Sequence, residues 1–223
     1  MAQKKQTTAQ TEQVASTVSS VELFFKKNEK LVEGLIIGIV VVVCGFLALN
    51  KWYLVPAKEE AKAQMFNAEQ QFRAGDYEKA LNGDGNVLGF KDIVAQYGSK
   101  AGKSVYLYAG ICNLHLGNNR EAISCLKKYS TSDKIMAARA LCCLGDAYSN
   151  LGSQKEAVAY YNKAAAKDNG QYAAGYLLKA GIASEAAGDN AAALGFYRKI
   201  EQNYPNTLEG YDIQKYISRI ENK

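Results

Sequence analysis

Polar and apolar positions divide this chain into three regimes before any single motif is considered. Residues 1–20, MAQKKQTTAQTEQVASTVSS, carry almost no large apolar groups and cannot bury enough surface to offset the entropy of ordering, so they read as a disordered tail. From Val21 the pattern turns helical and amphipathic, with Leu23, Phe24 and Phe25 followed by Lys26, Lys27, Glu29 and Lys30. That piece either lies on a membrane surface or begins the next helix. Residues 31–55 are apolar on every face. From Lys58 onward, apolar residues recur at helical spacing and are punctuated by glycine.

Residues 144–164, LGDAYSNLGSQKEAVAYYNKA, show the third regime most clearly. They place Gly145, Tyr148, Gly152, Ala157, Tyr161 and Ala164 as two short helices in an antiparallel hairpin would. A lone hairpin cannot bury its own apolar face and needs stacked neighbours. The chain supplies them: Gly75, Gly117, Gly152 and Gly188 follow one another at 42, 35 and 36 residues. Pairs of small residues recur in phase, Ala68 with Ala80, Gly110 with Ala122, Gly145 with Ala157, and Gly181 with Ala193, the last followed by Tyr197 and Pro205. This pattern resembles the tetratricopeptide repeat, with small residues where paired helices cross closest and a proline ending the second helix. The resemblance covers about four repeats within residues 57–206. It implies an all-α, tetratricopeptide-type helical solenoid preceded by one transmembrane helix.

Local signals agree. Glycine past one helix and a capping residue before the next recur at Gly75-Asp76, Gly117-Asn118 and Gly152-Ser153. Asn118 with Glu121 and Ser153 with Glu156 have capping-box spacing. Repeat one departs from the pattern at an insertion over residues 81–88, LNGDGNVL, after which Phe90, Ile93 and Tyr97 resume the phase of Tyr197, Ile200 and Tyr204. Asn82, Asp84 and Asn86 alternate as calcium ligands would, but the following glycine and the closing glutamate are missing. Residues 207–223 hold a last amphipathic helix with Tyr211, Ile213, Tyr216, Ile217 and Ile220, suited to cap the array.

The apolar stretch sets location. Between Glu33 and Lys51 lie 17 uncharged residues, near the lower limit for a helical crossing, and Lys51, Trp52 and Tyr53 extend it into the interface. Pro56 ends or kinks that helix. No A-x-A pattern adjoins the end of the apolar run, and Cys44 is preceded by valines, so an uncleaved signal anchor is expected rather than a cleaved signal or a lipoprotein. Lys26, Lys27 and Lys30 balance Lys51, Lys58 and Lys62, while Lys4 and Lys5 tip the tail towards the cytoplasm. The repeat domain is then expected on the far, periplasmic side.

Composition narrows the chemistry. A formal charge of +5 arises from interleaved charges with no basic stripe, so nucleic acid is not an expected partner. Five cysteines and one histidine show no C-x-x-C or other ligand spacing; no metal and no cofactor are expected, and the cysteines read as small buried apolar residues. With no Ser-His or Cys-His arrangement, phosphate loop or zinc signature, no catalytic residue is assigned.

The tetratricopeptide resemblance implies that the first helix of each repeat lines a protein-binding groove. Carried across position by position, these are Lys62, Met65, Glu69, Phe72 and Arg73, then Leu107, Ile111, Leu114 and His115. Repeat three gives Arg139, Cys142, Asp146, Ser149 and Asn150, and repeat four Leu178, Ile182 and Glu185. Leu107 and Ile111 stand where a chaperone-tail carboxylate clamp needs Lys and Asn, so that specialisation is absent. The groove suits a peptide or partner helix. The overall plan resembles signal-anchored bacterial inner-membrane members of the family that accompany the Sec translocon. That likeness implies a non-catalytic adaptor for translocon subunits, periplasmic chaperones or exported clients; a structural spacer in an envelope assembly is the alternative.

Overall fold

The computed structural model describes Phe24, residues 27–168, Gly170 and residues 172–222. The expected disordered tail, most of the amphipathic piece from Val21, and Lys223 lie outside the described residues. The chain divides into two compact units, Met1–Pro56 and Ala57–Lys223.

In the first unit, α1 (Glu29–Leu49) has no buried residue. An 18-residue window of the helical run beginning at Glu29 reaches a mean hydropathy of 2.7, so this helix is long and apolar enough to cross a membrane. Ahead of Pro56 the backbone widens into a π-helical segment, Asn50–Leu54, where the amide of Val55 reaches back to the carbonyl of Asn50. A proline ring crowds the carbonyl four residues before it, and a wider turn relieves that contact.

The second unit is an array of helical hairpins. Repeat one pairs α2 (Val55–Arg73) with a second helix broken into α3 (Tyr77–Asn82) and α4 (Phe90–Gln96), followed by a 3-10 turn at Gly98–Ala101. Repeat two is α5 (Ser104–His115) and α6 (Asn119–Leu126), repeat three α7 (Lys134–Asn150) and α8 (Gln154–Asp168). Repeat four is α9 (Ala173–Ala186) and α10 (Asn190–Asn203), covered by α11 (Leu208–Glu221). No strand occurs among the described residues.

The four turn glycines share one conformation, with φ between 76° and 79°. Each ends its helix in the same double hydrogen bond: at Gly188 its own amide reaches the carbonyl of Glu185 at 2.9 Å, and the amide of Asp189 that of Ser184 at 2.9 Å. Gly75, Gly117 and Gly152 repeat this Schellman geometry. Asp76 and Asp189 then cap the next helices, accepting from the amides of Lys79 and Ala192. Asn118 does not follow the capping-box expectation. Its side-chain amide donates to Oδ1 of the buried Asn113 at 3.4 Å, and its side chain caps nothing in α6.

Packing follows the small residues. An added Cβ at Gly110, Gly145 or Gly181 would meet Leu126, Tyr161 or Tyr197 at 2.6, 2.5 or 2.1 Å, so only glycine lets each pair of helices cross this closely. Their partners Ala122, Ala157 and Ala193 are fully buried, and in repeat one Ala80 is fully buried with Ala68 at 2% exposed. The four apolar clusters each span neighbouring repeats, as stacking requires, and the last carries Ile213, Ile217 and Ile220 of α11.

Candidate functional site

Three first helices and the cap converge on a cavity of about 550 Å³. α5 contributes Ile111, Leu114 and His115; α7 contributes Ile135, Met136, Arg139, Cys142, Cys143 and Asp146. Tyr172, Gly175, Tyr176 and Lys179 come from α9 and the turn before it, and Glu209 from α11.

Six of the residues named from the sequence meet here: Ile111, Leu114, His115, Arg139, Cys142 and Asp146. The others go elsewhere. Met65 and Leu107 are 5% and 2% exposed, within apolar clusters. Phe72 packs edge-on against Tyr77, Phe90 and Tyr108. Lys62 pairs with Glu59 at 3.1 Å and Arg73 with Glu69 at 3.6 Å, both along the helix surface. Ser149 and Ile182 line a smaller cavity of about 130 Å³. Asn150 donates to Oδ1 of Asn119 at 3.0 Å, and Leu178 packs towards the cap. Glu185 accepts from the Tyr197 hydroxyl at 2.6 Å and from Arg219 of the cap at 2.5 Å.

Ile135, Met136, Cys143, Tyr172, Gly175, Tyr176, Lys179 and Glu209 escape a reading that copies groove positions from repeat to repeat. Lys179 shows why. Its Nζ lies 2.7 Å from Oδ1 of Asp146, and the same oxygen accepts from the Tyr161 hydroxyl at 2.7 Å. This bridge joins α9 to α7, lies between the two cavities and lines both with Lys179. At the α5 end His115 stacks on Tyr77, with ring centroids 3.9 Å apart and planes 6° apart.

The electrostatics do not favour nucleophilic chemistry. Burial, reinforced by the Asp146 charge, pushes the thiols of Cys142 and Cys143 up to about 12 and about 11. They are therefore neutral at ordinary pH, whereas an attacking thiol needs its thiolate. The Tyr176 hydroxyl, pushed up to about 12 chiefly by burial, is likewise a neutral donor. Among the described residues no three His, Cys, Asp or Glu side chains converge as a metal site would need. The groove offers apolar and aromatic walls with charged groups of both signs, the mix of apolar anchors and polar edges that peptide-binding surfaces in general combine.

Comparison with known proteins bears on the fold. A family model described as a tetratricopeptide repeat matches residues 176–207, from within α9 to the cap of α11. The solved structure titled "Crystal structure of MamA protein" is 20% identical, with a TM-score of 0.58, over 74% of this chain and 84% of that one. A second, titled "Crystal structure of MamA", is 19% identical, with a TM-score of 0.53, over 70% and 92%. No curated protein sequence matches. With a family match confined to the fourth repeat and structural likeness running through most of the array, the second unit is an all-α solenoid of the tetratricopeptide type.

Proposed function

We propose that this protein is a membrane-anchored, non-catalytic scaffold that holds a protein or peptide partner in the groove between α5, α7, α9 and α11. The observation that carries the reading is the cavity of about 550 Å³ with apolar walls and both signs of charge at its edges. α1 supplies the anchor, and the lysines of the tail favour a cytoplasmic amino terminus with a periplasmic array. In that setting the partners are translocon subunits, periplasmic chaperones or exported clients. Crosslinking in intact membranes followed by affinity purification tests this: recovery of translocon subunits or clients is expected. Loss of that recovery in an Arg139→Glu, Met136→Gln variant would tie it to the groove. Protease added to spheroplasts should cut the array; protection until the inner membrane is opened would overturn the orientation.

A second reading, a rigid spacer in an envelope assembly, draws on the ties between neighbouring elements. Asp146 with Lys179, Asn119 with Asn150 and Glu185 with Arg219 each hold one element of the array to another. A fixed set of envelope components and no clients in the same purification would select it.

A further inference from the structure

One carboxylate in the groove has no partner. The side chain of Glu209, half-buried in the first turn of α11, makes no hydrogen bond or ion pair among the described residues. It reaches across to α9: its Oε1 lies 3.1 Å from where a Cβ on residue 175 would be. Gly175 is a helical residue with φ outside the left-handed region, so its backbone does not require glycine. What the missing side chain provides is room for this carboxylate. An acidic residue in a first turn commonly serves its own helix dipole, but that role needs no reach into a neighbouring helix. Here the amide of Gly210 is already capped by the Thr207 hydroxyl at 3.1 Å.

The surroundings are those of a cation site. Tyr172 and Tyr176 line the same cavity as Glu209, together with Ile135 and Met136. Aromatic faces beside a carboxylate attract an ammonium or guanidinium group and shelter its apolar stem. Among the described residues the cations that line the cavity do not fill the position: Lys179 is held by Asp146 at 2.7 Å, and Arg139 makes no ion pair with Glu209.

We infer that Glu209, with Tyr172 and Tyr176, is a specificity site that takes a lysine or arginine side chain of the segment bound in the groove. The inference rests on the scaffold reading above and adds the chemistry of the partner to it. A partner segment therefore presents a basic residue towards the cap and apolar residues towards Met136 and Ile111. Its carboxylate sits on the cap, outside the repeat pattern, while the two tyrosines come from α9 and the turn before it, so the array's groove positions alone do not predict the site.

Two probes separate this site from the reading it rests on. The first is n-hexylammonium, with hexanoate as the control of equal tail and opposite charge, titrated into the full chain in zwitterionic nanodiscs with labelled Ile and Met methyls. Saturable shifts at Ile135 and Met136 with hexylammonium are expected, with affinity falling about tenfold in Glu209→Gln and in Tyr172→Ala. An equal response to hexanoate, or full binding in Glu209→Gln, overturns the site. The second probe is an array of 15-residue peptides, each paired with a copy in which Lys and Arg become Gln. Peptides that bind and lose binding in the Gln copies support the inference. Peptides that bind regardless of basic residues overturn it and leave the scaffold reading standing. If no peptide binds while hexylammonium does, the scaffold reading fails and the cation site remains.

Discussion

Gly181 lies beneath the ring of Tyr197 so closely that a Cβ there would stand 2.1 Å from Cε1. The tyrosine cannot give way freely, because it is fully buried and its hydroxyl is held by Glu185 at 2.6 Å. Gly181→Ala should therefore cost about 1–3 kcal/mol through overpacking. Gly195 is the control, inside α10 with open space where its Cβ would go. Gly195→Ala should gain about 0.5–1 kcal/mol from helix propensity alone. Urea midpoints of the two variants, moving in opposite directions, check the argument; a neutral Gly181→Ala would refute it.

The turn glycines are required for a different reason. At Gly152 nothing lies within 4 Å of an added Cβ, but φ is 76°. Gly152→Ala should cost about 1 kcal/mol through backbone strain, and Gly152→Asn less, because asparagine tolerates the left-handed region better. Similar losses in both variants would show that space, not φ, sets the requirement.

The hairpins were legible because their signals are local. A left-handed turn needs glycine, and a close crossing needs a small residue, whatever the rest of the chain does. The groove was less legible, since each first helix has two apolar faces, one towards its own hairpin and one towards the next repeat. Periodicity alone cannot say that Leu107 and Met65 fall on buried faces while Ile111 meets the cavity. Lys179 and Glu209 were hidden for a further reason: one reaches into the neighbouring repeat and the other belongs to the cap. Asn118 is no cap: its side-chain amide donates to the buried Asn113, and its side-chain oxygen accepts from no amide of α6.

The Asp146–Lys179 bridge predicts an asymmetry between its partners. Lys179 is about half exposed, and solvent screens the pair, so Lys179→Met should cost no more than about 1 kcal/mol. Asp146→Ala removes the acceptor of both Lys179 and the Tyr161 hydroxyl. It should cost about 2 kcal/mol by leaving a buried hydroxyl unsatisfied. Tyr161→Phe in the Asp146→Ala background should recover part of that loss. No recovery in a thermal melt would mean that the hydroxyl finds another acceptor.

α1 offers a test independent of the array. Val41 and Val42 are exposed at the middle of an apolar helix, and an arginine placed there opposes insertion by about 2.5–3.5 kcal/mol. Val41→Arg should move protein from the carbonate-resistant membrane fraction into the soluble fraction, while Val41→Leu leaves it in place. Equal retention of both variants would argue against α1 as the anchor.

Two buried thiols, Cys112 and Cys142, and the half-buried Cys143 make stability fall at alkaline pH. Cys112, Cys142 and Cys143 are pushed up to about 12, about 12 and about 11, first of all by burial, from an ordinary value of 9.0. Their folded pKa values lie above the unfolded ones, so the unfolded chain gives up protons that the folded chain keeps. The stabilisation is whole below about pH 9 and is lost as pH rises towards 11–12. Tyrosines and lysines titrate in the same range, so the test is a comparison with the Cys112→Ala, Cys142→Ala, Cys143→Ala variant. Between pH 8 and 10 the urea midpoint of the wild type should drop more steeply than that of the variant. Alkylation supplies a second readout: at pH 9 iodoacetamide should label Cys142 more than about a hundredfold more slowly in the folded chain than in urea, from thiolate population alone. Parallel slopes together with fast native labelling would show that these thiols are open to solvent and that the helices around them are not packed as described.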